Sequence, residues 1–192
     1  MQVQKLQIRE VISQLGEGDG QVLTYRPLGK KAKEVVNRHI QKLLPGQGLE
    51  LDFNGVELCD VSFVDEVVIE VQKFVISQDK DIIFFISNVK EAVLENLLPA
   101  LAYRENTGDN VVVLRYEKGK ASIFGDLEPK LRDTFELIAK RKSITARELA
   151  EINKIAINSA SNRLKKLFDK KLLIREEHID SLGRQHIYRL PL

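Results

Sequence analysis

The strongest constraint on the fold lies between Thr145 and Leu190, where the hydrophobic period changes from helical to alternating within one short stretch. Ala160, Leu164, Leu167 and Phe168 fall at i, i+4, i+7 and i+8, the stripe of a helix with one buried side. Leu172-Leu-Ile-Arg and His186-Ile-Tyr-Arg-Leu then read as two strands flanking a polar tip, Asp180-Ser-Leu-Gly-Arg. Ahead of them, Thr145-Ala-Arg-Glu-Leu-Ala-Glu-Ile begins a shorter helix, because Thr145 and Glu148 match the capping-box spacing. Asn153-Lys-Ile breaks that helix. A helix, a turn, a second helix and a ribbon follow one another from Thr145 onward.

The second helix keeps Asn158, Ser159, Asn162, Arg163, Lys165 and Lys166 on its outer faces. Asn and Ser hydrogen-bond base edges or phosphates, while Arg and Lys supply charge to phosphates or contact guanine. A helix of this width beside a ribbon is the shape that reads duplex DNA. The solvated-surface alternative is a basic face that touches nothing, or a module that docks only on protein.

Residues 127–192 resemble the winged helix-turn-helix domains of bacterial transcription regulators. The resemblance rests on Thr145-Ala-Arg-Glu-Leu-Ala, on Ser161-Asn-Arg-Leu-Lys-Lys-Leu, and on Leu172-Leu-Ile-Arg leading to Tyr188-Arg-Leu-Pro. It implies that Ser159 to Lys166 enter the major groove and that the tip, with Arg184, reaches a flanking phosphate. Such regulators often dimerise on palindromes, so a homodimer is among the expected states, although no segment is an evident dimer helix.

Charge divides the chain in the same place. Residues 1–126 carry 15 Lys and Arg against 19 Asp and Glu, a net −4, whereas residues 127–192 carry 15 against nine, a net +6. An acidic front and a basic back point to two domains with different partners, the back one suited to a polyanion. No apolar run approaches the roughly 20 residues that cross a bilayer, so no membrane partner is expected. Met1-Gln-Val-Gln-Lys lacks the basic-then-apolar pattern of a secretory leader. The sole cysteine, Cys59, forms no internal disulfide, and a reducing cytoplasm is the simplest expected location.

The first domain alternates strand and helix patterns, which argues for an α/β layer fold with a mixed or parallel sheet. Strands are expected at 21–26, 49–53, 56–59, 81–87 and 111–116, and helices at 30–44, 62–77 and 90–103, with Pro99 kinking or ending the last. Gly119, Gly125 and Pro129 mark residues 119–127 as a linker between domains 1–118 and 128–192. A helix carrying Leu131, Phe135 and Ile138 should form the base of the second domain.

Asp52, Asp60, Asp65 and Glu66 lie close in sequence, an acidic group of the kind that holds a divalent metal or accepts a phosphoryl group. Helix-end chemistry is the simpler account: Ser62 is a good N-cap, and Asp65 and Glu66 in the first turn suit the positive helix end. Leu51-Asp-Phe-Asn-Gly-Val, Asp60-Val-Ser-Phe-Val-Asp-Glu and Ile86-Ser-Asn-Val resemble the STAS fold of sulfate transporters and anti-sigma factor antagonists, in its STAS-like variant of unknown function. That resemblance covers residues 20–116. It implies a partner-binding surface at Asp60, Val61, Ser62, Asp65 and Glu66, for which an ATPase-fold kinase is the implied protein. In the antagonists a serine directly follows the aspartate; here Val61 stands there and Ser62 comes next, which argues against a phosphoswitch and leaves Ser62 as a candidate acceptor.

Nothing in the sequence assembles a catalytic site, and no cofactor is expected. His39 sits in a helix without a nucleophile, Gly29-Lys-Lys-Ala lacks the rest of a phosphate loop, and Cys59 at a strand end reads as a small buried hydrophobe. His178 and His186 on the ribbon lack the thiol or carboxylate that would complete a metal site. The expected architecture is therefore α/β plus α+β: a STAS-like strand/helix sandwich, then a winged helix-turn-helix domain. The expected function is DNA-binding transcription regulation, with the first domain receiving a protein or small-ligand signal. The alternative is a non-catalytic interaction adaptor that binds an ATPase-fold kinase and never touches DNA.

Overall fold

The computed structural model describes residues 1–180 and 183–191, and the chain divides into two compact units, Met1–Asp126 and Leu127–Leu192. Ser181 and Leu182, expected at the ribbon tip, lie outside the described residues.

The first unit is mixed α/β. It begins with β1 (Val3–Gln7) and α1 (Ile8–Gln14), followed by the two-residue β2 (Val22–Leu23) and α2 (Arg26–Lys42). Next come β3 (Gly48–Asp52), β4 (Leu58–Cys59), α3 (Val61–Val64), a π-helical stretch Asp65–Ile69, and α4 (Glu70–Ser77). The unit closes with β5 (Ile83–Ser87), α5 (Glu91–Asn106), β6 (Val113–Glu117) and β7 (Lys120–Phe124). The main sheet runs β1-β3-β5-β6-β7. Its first three pairings are parallel and the last is antiparallel. Parallel neighbours need a crossover between them, and α2, α4 and α5 each lie on one. Ile8, Val11, Val36, Ile40, Phe63, Val67, Val71, Val93 and Leu97 from the helices meet Leu49, Leu51, Phe84, Ile86 and Val113 from the sheet in one apolar core.

Several expectations shift. The strand expected at 21–26 shortens to Val22–Leu23, because Pro27 near the start of α2 favours helical φ and needs no N–H partner there. The helix expected at 62–77 is capped by Asp60 rather than Ser62: the Asp60 carboxylate accepts from Phe63 N–H at 2.7 Å, and the Ser62 hydroxyl also donates to it at 2.9 Å. α5 runs through Pro99 to Asn106, since Pro99 and Glu95 both face solvent, where the carbonyl left without its helical donor meets water.

Residues 119–127 are not a linker through most of their length. Lys120–Phe124 pairs with β6 from Val113↔Phe124 to Glu117↔Lys120. The turn residues Lys118 and Gly119 both take positive φ, 48° and 78°, as a two-residue hairpin turn requires.

In the second unit, α6 (Pro129–Arg141) is followed by β8 (Ser143–Thr145), α7 (Ala146–Asn153), α8 (Ile157–Asp169), β9 (Ile174–Asp180) and β10 (Gly183–Arg189). The three strands form an antiparallel sheet in the order β8-β10-β9. Thr145 ends β8 and caps α7 through both halves of the expected box, with Glu148 N–H donating to Thr145 Oγ1 and Thr145 N–H donating to Glu148 Oε2. Lys154 takes the left-handed conformation that stops α7. Leu131, Phe135 and Ile138 of α6 are buried, as are Leu149 of α7 and the Ala160, Leu164, Leu167 and Phe168 stripe of α8. The ribbon is tied to α8 by aromatic contact. Phe168 meets Tyr188 edge-on at 6.4 Å, and the Arg175 guanidinium lies 4.3 Å from the centre of the Phe168 ring.

Candidate functional site

The outer surface of α8 follows from its 13 residues and its single buried stripe. At 3.6 residues per turn, Asn162 stands opposite that stripe, with Asn158, Ser159, Lys165 and Lys166 beside it. These five are exposed and Arg163, on the flank, is half-buried. Ala156 at the N-cap offers no side-chain hydrogen bond, so the first N–H groups of α8 point outward uncapped.

Some of the cations have acidic partners. Lys165 pairs with Asp169 at 2.7 Å, Lys166 with Glu128 at 2.9 Å, and Arg184 with Glu177 at 2.7 Å. All three pairs are at least 46% exposed on either side, so each is weak and readily exchanged for a stronger anion. Arg163 has no acidic partner among the described residues.

A hollow of about 290 Å³ opens between the starts of α7 and α8 and strand β10. Arg147, Ile157, Asn158, Ser161, Arg184 and His186 are among its lining residues. Arg147, Ile157 and His186 were not expected beside the outer face of α8. Arg147 sits inside the capping-box pattern, where it reads as a helix-starting residue, and only the fold brings it across to Asn158 and Arg184. Among the described residues Arg147 has no acidic partner, and buried His186 Nδ1 has no hydrogen-bond partner.

In the first unit the expected partner surface divides in two. Val61 is exposed and Ser62 half-buried, whereas Asp65 and Glu66 are 5% and 3% exposed. The latter two are largely withdrawn from solvent, because the π-helical stretch carries them inward against three cations, and only Asp65 still borders a cleft. Arg104 grips Asp65 through the Nε and Nη2 edge of its guanidinium, at 2.8 and 2.9 Å. Arg26 reaches Asp65 and Glu66 at 2.8 Å each, and Lys33 completes the set with a 2.5 Å contact to Glu66. Glu70, Asp109 and Lys73 extend the network at its solvent side.

Burial raises the Asp65 carboxyl, but hydrogen bonds from Arg104 and Arg26 outweigh it and hold the group below its ordinary range. Glu66 is likewise pushed up by burial and drawn lower overall by Lys33 and Arg26. Gly29 lets α2 approach this stretch, since a Cβ there would stand 3.0 Å from the Glu66 Cβ and 3.2 Å from the Phe63 carbonyl.

Asp60 ties the start of α2 to the start of α3. Its second oxygen accepts from Tyr25 N–H at 2.7 Å, holding Tyr25 at φ 61° and ψ 139°, a conformation costly for a non-glycine residue. Burial pushes the Asp60 carboxyl up, and its hydrogen bonds from Tyr25, Phe63 and Ser62 bring it below its ordinary range. A cleft of about 270 Å³ lies beside it, lined by Arg26, Val61, Asp65, Ala100, Tyr103 and Arg104.

The other acidic and reactive residues have local roles. Asp52 is buried and accepts from Asn54 N–H, Asn88 and Lys5. Cys59 is buried, and desolvation pushes its thiol up to about 12. Among the described residues no group of three or more His, Cys, Asp or Glu could hold a metal ion, and no helix is long and apolar enough to cross a membrane. Compared with known proteins, the chain matches no protein-family model and no curated sequence.

Proposed function

We propose that the chain is a cytoplasmic DNA-binding transcription regulator, with a winged helix-turn-helix unit as the DNA reader and a STAS-like unit as the receiver of a protein or small-ligand signal. The carrying observation is the outer face of α8. Asn158, Ser159, Asn162, Lys165 and Lys166 are all exposed on one helix, with Arg163 at its edge, in a unit of net charge +6.

A helix of 13 residues is about 20 Å long at 1.5 Å per residue, and its diameter of roughly 10–12 Å suits a major groove about 12 Å wide. Asn158, Ser159 and Asn162 are the side chains for base edges. Arg163, Lys165 and Lys166 are the cations for phosphate, with Arg184 from the ribbon. Arg147 joins them at the hollow, where the uncapped start of α8 adds backbone N–H donors.

A second reading, the interaction adaptor, is favoured by one observation. Val61 and Tyr103 remain 42% and 69% exposed in the lining of the cleft of the first unit, which is apolar surface suited to a protein partner. The two readings separate in one titration. Fluorescence anisotropy with pooled genomic duplex fragments across a salt series should show binding with a steep salt slope and a sequence-selected subset. Absence of binding at low salt by a folded sample would overturn the regulator and favour the adaptor.

A further inference from the structure

Ile157 is 50% exposed at the first helical position of α8. It stands three residues before Ala160, in phase with the buried stripe, yet stays half-exposed, and it borders two hollows, one shared with Asn158, Ser161 and Arg147 and the other with Ala150 and Ile155. A β-branched aliphatic residue is not favoured in that helical position by propensity, and an isoleucine side chain cannot cap the N–H groups beside it. Neither capping nor propensity therefore explains its identity, and half of its surface is left uncovered.

Resting on the DNA-reading role proposed above, we infer that Ile157 selects a thymine by contact with its C5-methyl group. The N-terminal residues of a recognition helix are the ones that meet base edges. A side chain without donors or acceptors, pressed against the N6, N7, O6 or N4 of another base, would strip water from that group and return nothing. The thymine methyl is the only apolar group that a major-groove edge presents. Asn158 and Ser161 on the same helix end, with Arg147 across the hollow, supply the polar contacts that fix where Ile157 lands, so the methyl it meets belongs to one defined position.

The test uses the full chain and a duplex chosen by selection from random sequence. Each thymine in the selected site is replaced singly by uracil, which deletes the methyl and nothing else. At one position the wild-type chain should bind about fourfold more weakly, the worth of one buried methyl group. Ile157→Gln should bind the thymine and uracil duplexes equally, and Ile157→Leu, which stays apolar and of equal size, should retain the difference. Circular dichroism melting verifies that both variants are folded. Insensitivity of the wild type to every uracil, or an undiminished difference in Ile157→Gln, overturns the inference while leaving DNA binding intact. Failure of the folded wild type to bind any duplex overturns the regulator reading itself, and this inference with it.

Discussion

The two units use charge in opposite ways. In the first, Asp65 and Glu66 are buried and matched to Arg26, Lys33 and Arg104, so the charges are spent on one another. In the second, Lys165, Lys166 and Arg184 meet their acids in solvent and Arg163 meets none among the described residues. The same residue types thus hold a fold together in one place and remain available to a ligand in the other. Burial distinguishes them, because removing one member of a dry ion pair strands its partner whereas removing one member of a wet pair returns the other to water.

The largest effect should come from Asp65→Ala. It removes the carboxylate that Arg104 and Arg26 share while leaving Arg104 with Glu70 and Asp109 and Arg26 with Glu66, and urea denaturation should report a loss of about 1–3 kcal/mol. A loss below about 1 kcal/mol would erase the contrast between the two units.

The pH dependence follows with a fixed sign. Asp65 and Glu66 are held below their ordinary range in the folded chain. Their contribution is therefore present above the unfolded values near 4 and is lost as pH falls through the lower folded ones. Stability measured from pH 6 downward should begin to decline near pH 5, and Asp65→Asn should flatten the decline.

The double variant Arg163→Ala with Lys166→Ala should leave stability within about 0.5 kcal/mol of wild type. If each cation neutralises one phosphate, the salt slope of DNA binding should fall by roughly 1.8, and affinity should drop about thirtyfold at 0.15 M salt. Unchanged affinity would move these residues to the solvated-surface class. Glu148→Ala removes one half of the α7 capping box and should cost about 1 kcal/mol. Asp169→Ala should cost only about 0.3–0.5 kcal/mol, and by freeing Lys165 it should slightly tighten DNA binding in the same salt series.

Legibility followed sequence distance. Thr145 and Glu148 are three residues apart, and the α8 stripe lies within three turns, so both could be read locally and both appear in the structure. The pairing of Arg26 and Arg104 with Asp65 spans 39 residues each way, and no local pattern announces it. Asp65 and Glu66 therefore looked like first-turn residues of a helix facing solvent. β7 was hidden for another reason: Gly119 and Gly125 resemble linker punctuation, but Gly119 makes a hairpin turn and Gly125 stands where a Cβ would lie 2.2 Å from the Val111 carbonyl oxygen. β1 has its apolar residues at Val3 and Leu6, three apart, which is not a strand's alternation, and α1 is only seven residues long, so neither was declared by periodicity.

The π-helical stretch at Asp65–Ile69 has a consequence for ancestry. A π turn holds one more residue than the α turn it replaces, so it amounts to a single-codon insertion that a helix has absorbed without breaking. A descendant that lost that codon would keep α3 and α4 as one regular helix but turn the residues of α4 by about 100° relative to α3, carrying Val71 and Val75 away from the apolar core. In an alignment of such sequences, a one-column gap between Asp65 and Glu70 should accompany a shifted apolar pattern from Glu70 to Ser77.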